Sequence, residues 1–129
     1  MKFFIDSANV DEIQNAVALG VCDGVTTNPT LLAKEEGSAE EIYKTICYLV
    51  DGPVCAETIS QDTEAIIEEG QQLAKIHKNI VVKIPCTKEG LLAVNQLERD
   101  GIRTNVTLVF SPLQALLAAK ARASFVCPF

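Results

Sequence analysis

The pentapeptide Val81-Val82-Lys83-Ile84-Pro85 decides the fold and points to the chemistry. Its apolar residues read as a strand buried on both faces, the kind found in parallel sheets. An ammonium in such a run must be paired or must lose its proton, because desolvation disfavours the charged form of lysine. A neutral amine is the form that attacks a carbonyl to make a Schiff base. The structural alternative is a lysine in a buried ion pair, or one whose head reaches past the strand end to water.

Outward from this strand, short apolar runs alternate with helical patterns. Strands are predicted at Lys2 to Asp6, Gly24 to Thr27, Pro53 to Glu57, Ile80 to Ile84, Thr104 to Phe110 and Ser124 to Cys127. Between them Val10, Ile13 and Val17 follow helical spacing, and Ile42, Ile46, Leu49 and Val50 share one stripe. Ser38-x-x-Glu41 is a capping box, Asp62 precedes a helix running to Ile76, and Ser111-Pro112 places proline in a first turn. Gly20, Gly37 and Gly101 are stop signals. Serial βα units imply a parallel α/β sheet, either open and doubly wound or part of a (β/α) barrel.

The 129 residues, 48% of them hydrophobic, suit a single domain spanning the whole chain. A net charge of −6 argues against a nucleic-acid partner, which would call for a basic footprint. Cysteines at 22, 47, 55, 86 and 127 are odd in number and form no C-x-x-C pair, so neither a disulfide framework nor a metal site is expected, and the compartment reads as cytoplasmic. No secretory leader or membrane-spanning run is expected.

In parallel α/β folds the functional groups stand at the C-terminal ends of the strands and on the loops that follow. Those ends carry Asp6, Asn28, Glu57, Lys83, Asn105 with Thr107, and Cys127. Alternation puts Asn105 and Thr107 on one face and Val81 and Lys83 on one face, with Val82 and Ile84 turned away. In a barrel that face is the interior, where these groups would converge among apolar neighbours. Helix capping is the competing account; it suits Asp6 and Ser111 and leaves Lys83 and Glu57 unexplained.

Four segments make the chain recognisable: Phe4-Ile5-Asp6-Ser7-Ala8, Gly24-Val25-Thr26-Thr27-Asn28-Pro29-Thr30, Val81 to Pro85, and Thr104 to Ser111. Together they resemble the transaldolase family, most closely its short bacterial branch, which includes fructose-6-phosphate aldolase. The resemblance implies an α/β (β/α) TIM-barrel fold, of which this chain holds the first six strands of eight. It also implies a class I aldol chemistry that needs no metal or organic cofactor. On that basis Lys83 is the Schiff-base lysine and Asp6 the acid/base carboxylate. Glu57 and Thr107 hold a water that shuttles protons, and Asn28 and Asn105 bind hydroxyls of a dihydroxyacetone unit. The family's Ser-Pro-Phe corresponds to Cys127-Pro128-Phe129, so Cys127 and Phe129 are the further substrate-binding positions. Sugar phosphates are the implied substrates, in the pentose phosphate pathway.

Glutamate at position 57 matches the transaldolase branch, where the aldolase branch carries glutamine. Cys127 replaces a hydroxyl with a weaker hydrogen-bonding thiol. Ala121-Arg122-Ala123 stands where Ala-Gly-Ala is usual, so Arg122 is expected to pay for a left-handed backbone. The family continues past Phe129 with a phosphate-binding arginine and two further βα units. From this follow two rivals to a transaldolase: a fructose-6-phosphate aldolase, and an impaired partial barrel that mainly self-associates. A third reading, a small phosphate or flavin binder, lacks a glycine-rich phosphate loop. Exposed strand edges and uncovered apolar surface predict a homo-oligomer.

Overall fold

The computed structural model describes residues 1–129. The strands are β1 (Phe4–Asp6), β2 (Gly24–Thr26), β3 (Val54–Glu57), β4 (Ile80–Pro85), β5 (Thr104–Val109) and β6 (Phe125–Pro128). The helices are α1 (Val10–Ala18), α2 (Pro29–Leu32), α3 (Ala39–Leu49), α4 (Thr63–Ala74), α5 (Lys88–Arg99) and α6 (Pro112–Lys120). All six expected strands are present, with ends shifted by a residue or two. The β2 to β3 connection holds two helices rather than one, because Asn28 and Pro29 start a separate short turn before the capping box at Ser38.

Strand order in the sheet follows chain order from β1 to β6. Parallel strands in unpermuted order, each joined to the next through helix, have the topology of (β/α) barrels and differ from a doubly wound sheet, whose order reverses.

Each helix starts where a polar side chain takes up an N–H that the helix cannot satisfy itself. Asn9 accepts from Glu12, Ser38 from Glu41, Asp62 from Ala65, Thr87 from Gly90 and Ser111 from Gln114. At Ser38 the Glu41 carboxylate also returns to the Ser38 N–H, completing the box. Asp6 was a candidate cap for α1, but Asn9 fills that position because it alone stands three residues before the receiving N–H.

The packing divides the chain into two compact units. The first comprises Met1–Glu57 with Ile76–Ile80. Its β1 and β2 pair in parallel, as do β2 and β3, and α1 packs on α3 over a core that includes Ile13, Val25, Ile46 and Val54.

The second comprises Thr58–Lys75 with Val81–Phe129. In it β4 pairs with β5 and β5 with β6, and α4 packs on α5. Val82 and Ile84 of β4 and Val106 of β5 join Ile66, Val94, Leu97 and Ala118 in one buried cluster. This is the strand face that alternation turned away from Lys83. Gly90, in the first turn of α5, lies so close to β4 that a Cβ there would fall 2.1 Å from the Pro85 carbonyl oxygen, which only glycine permits.

Arg122 adopts φ 80°, the left-handed backbone expected just after α6. Leu108 adopts φ 56° inside β5, which the alternating pattern did not foresee.

Candidate active site

In the first unit Asp6 closes β1 and pairs in register with Thr26 of β2. The Thr26 hydroxyl donates to Asp6 Oδ1 at 2.8 Å. Asp6 is solvent-exposed, so the expectation that both carboxylates stand among apolar neighbours does not hold for it. Its nearest polar company is a hydroxyl, one strand away.

Asn28 is half-buried, and its Oδ1 accepts the Leu31 N–H at 2.9 Å as the cap of α2. That bond fixes the orientation of the amide and turns the Nδ2 group to other partners.

Glu57 closes β3 and is half-buried. Beside it lies Tyr43, only 2% exposed, whose phenol lies 3.3 Å from the Thr27 hydroxyl and hydrogen-bonds the Glu57 backbone. Burial pushes the Tyr43 phenol up, more than its bonds to Thr27 and the Glu57 backbone pull it down. Thr27 in turn donates to the Cys55 carbonyl at 2.8 Å. A buried polar chain therefore holds the main chain that carries Glu57.

In the second unit Lys83 is 6% exposed, with Val82 and Ile84 on either side fully buried. It pairs in register with Asn105, and Pro85 with Thr107. Asn105 and Thr107 are buried as well. The Lys83 carbonyl receives the Thr58 N–H at 3.0 Å and the Thr58 hydroxyl at 3.4 Å, so the backbone under the amine is held from the neighbouring segment. The Cys86 N–H donates to the Thr107 carbonyl at 2.8 Å. Lys83, Asn105 and Thr107 are thus brought together on adjacent strands.

Cys127 is half-buried in β6. Phe129 is exposed; its N–H donates to the Val109 carbonyl at 2.9 Å and its ring lies 5.1 Å from that of Phe110. The two rings border a cavity of about 270 Å³ with Ser111, Pro112 and Ala115. No group of three or more His, Cys, Asp or Glu side chains is arranged to hold a metal ion, and no helix is long and apolar enough to cross a membrane.

Sequence reasoning missed Thr26, Tyr43, Thr58 and Leu108. Thr26 was findable, since parallel pairing of β1 with β2 sets it beside Asp6. Tyr43 and Thr58 act through backbone groups of distant segments, which no local spacing reveals.

Chain-order parallel strands, one of them carrying a buried lysine midway along its length, define a barrel-type α/β protein. Comparison with known proteins narrows the class: the family model for Transaldolase/Fructose-6-phosphate aldolase matches residues 3–129. All 129 residues align at 64% identity with a "Probable transaldolase" of Desulfosudis oleivorans, and at 62% with one of Thermoanaerobacter sp.. A "Probable transaldolase" of Clostridium perfringens is 60% identical over the same span. The chain belongs to the Transaldolase/Fructose-6-phosphate aldolase family. It spans about 60% of the length of these curated relatives.

Proposed function

We propose that residues 1–129 contribute, as one barrel-type domain, to a Schiff-base transaldolase that transfers a dihydroxyacetone unit between sugar phosphates of the pentose phosphate pathway. The observation that carries this reading is the Lys83 amine, embedded in apolar β4 and set in register against Asn105. Lys83 Nζ attacks the ketone carbon of a ketose phosphate, and the carbonyl oxygen leaves as water, giving an iminium. Asp6 takes the proton of the C4 hydroxyl as the bond between the third and fourth carbons breaks. The released electron pair passes into the iminium, leaving an enamine on Lys83 and freeing an aldehyde. An acceptor aldehyde is attacked by the enamine carbon, and water then hydrolyses the product from Lys83. Glu57 and Thr107 hold the water that moves protons, while Asn28, Asn105, Cys127 and Phe129 contact the substrate.

Borohydride trapping with dihydroxyacetone or fructose 6-phosphate, followed by peptide mass analysis, tests the proposal. The label is expected on Lys83 alone. A label on Lys78 or Lys88 with none on Lys83 would overturn it.

The names of the curated relatives and the glutamate at position 57 favour transfer over free cleavage. The reaction is assigned to the cytoplasm on the cysteine pattern. Self-association is part of the same proposal: Leu113, Leu116 and Leu117 of α6 and the Phe110 and Phe129 rings are all more than half exposed. Light scattering across a concentration range is expected to show an oligomer, and a monomer throughout would refute it.

A further inference from the structure

The end of β5 contains a β-bulge. Against β6, Asn105 pairs with Phe125 and Val106 with Val126, but the next pair is Val109 with Pro128. There β5 uses two residues, Thr107 and Leu108, where β6 uses one, Cys127. Leu108 absorbs the extra length with φ 56°, a backbone that leucine rarely adopts.

Burial records what the bulge accomplishes. Val106 and Val109 lie in the same buried cluster although residues three apart in a regular strand face opposite sides. Thr107 is 6% exposed, Leu108 41% and Val109 2%. A regular strand would put Leu108 into the core layer and turn Val109 to the face of Thr107. The Thr107 carbonyl is bonded on the β4 side by the Cys86 N–H, while the β6 side carries the slip. The aim of the Thr107 hydroxyl is therefore set by the conformation of the residue after it.

We propose that Leu108 is a positioning residue whose left-handed backbone aims the Thr107 hydroxyl for proton transfer to and from the Schiff-base adduct on Lys83. The inference rests on the proposed reading of Thr107. In the step concerned, a C–H bond of the iminium breaks, its electron pair forms the enamine double bond, and the proton passes to the water at Thr107. Reversal in deuterium oxide returns a deuteron to the same carbon. Neither backbone strain nor a bulge is neutral at such a place, since both concentrate where a side chain must be re-aimed.

Four substitutions separate the backbone from the side chain. Leu108→Gly and Leu108→Asn tolerate positive φ but change the side chain, whereas Leu108→Ile and Leu108→Val keep an apolar side chain but resist that backbone. The full chain is assayed with dihydroxyacetone for borohydride trapping at Lys83 and for deuterium incorporation from solvent. Gly and Asn are expected to keep the parent exchange rate. Ile and Val are expected to slow it on the order of ten-fold, a partial loss of what a positioned proton carrier contributes, with trapping at Lys83 and the KM unchanged. Ile matching the parent while Gly is slow would overturn the proposal in favour of a side-chain contact.

If the parent labels no lysine, the Schiff-base reading fails, and amide spectra decide the placement of Thr107 separately. Shifts at Thr107, Val109 and Phe129 in the Ile variant, absent in Asn, support it; unchanged amides in Ile overturn it. Should Ile and Val not fold, a ten-fold loss of exchange in both Gly and Asn would equally overturn it.

Discussion

Glu98 Oε1 accepts both the backbone N–H of Thr104, at 2.7 Å, and its hydroxyl, at 2.6 Å. The same carboxylate takes the Ser124 N–H at 2.9 Å and the Ser124 hydroxyl at 2.8 Å. One side chain at the end of α5 therefore ties the starts of β5 and β6, and with them the register that sets Asn105 beside Lys83.

Replacing Glu98 should consequently cost more than a surface carboxylate does. Thr104 is fully buried, so Glu98→Ala leaves its donors without an acceptor. A loss of about 2 to 3 kcal/mol is expected by urea denaturation, with Glu98→Gln losing about half as much because it keeps one carbonyl acceptor. Equal stabilities of Ala and Gln would show that the acceptor does not matter.

Arg122 predicts the opposite sign. It holds φ 80° after α6, where a side chain is strained and glycine is not. Arg122→Gly should stabilise by about 0.5 to 1 kcal/mol, the relief of left-handed strain being partly offset by the greater freedom of glycine when unfolded. A rise of about 3 °C in Tm is the expected reading.

Cys47 introduces a dependence on alkaline pH. Burial pushes its thiol from an ordinary 9.0 up to about 11. Between these values the unfolded chain has released the proton and the folded chain retains it, so stability is full below pH 9 and falls as pH rises through the folded value. Comparing parent and Cys47→Ala at pH 8 and pH 11 should show the parent losing about 2 kcal/mol more than the variant. Parallel curves would contradict the shift.

Glu57→Gln tests the branch assignment. In the proposed reaction an amide would orient the water held by Glu57 differently from a carboxylate, so the variant should release more free glyceraldehyde 3-phosphate relative to transfer onto erythrose 4-phosphate. The product ratio in both proteins is the measurement, and an unchanged ratio would show that residue 57 does not select between the two outcomes.

The strands were legible because each is a short apolar run, and the caps because Ser38, Asp62 and Ser111 stand at fixed distances from the N–H groups they serve. Burial of Lys83 followed from the apolar run around it, and alternation put Asn105 and Thr107 together on one face, which the barrel reading made the interior. The bulge at Leu108 was not legible, since it exists only relative to β6 and the one-residue slip between Val106 and Val109. Nor was the exposure of Asp6, because alternation states which way a side chain points and not what covers it. Tyr43 was hidden for another reason: it is not among Ile42, Ile46, Leu49 and Val50, the residues that form the α3 stripe, and only the tertiary fold brings its hydroxyl to Thr27.

Asn28 has a consequence for recognition. In the proposed role of Asn28 toward substrate, one lone pair of its oxygen is already taken by the Leu31 N–H, so the Nδ2 protons are the larger part of what it offers a ligand. The helix start thus acts as a filter that favours ligand lone pairs over ligand donors. Aspartate at this position would preserve the helix cap but present an anionic acceptor to the ligand, reversing the polarity of the filter without disturbing the scaffold.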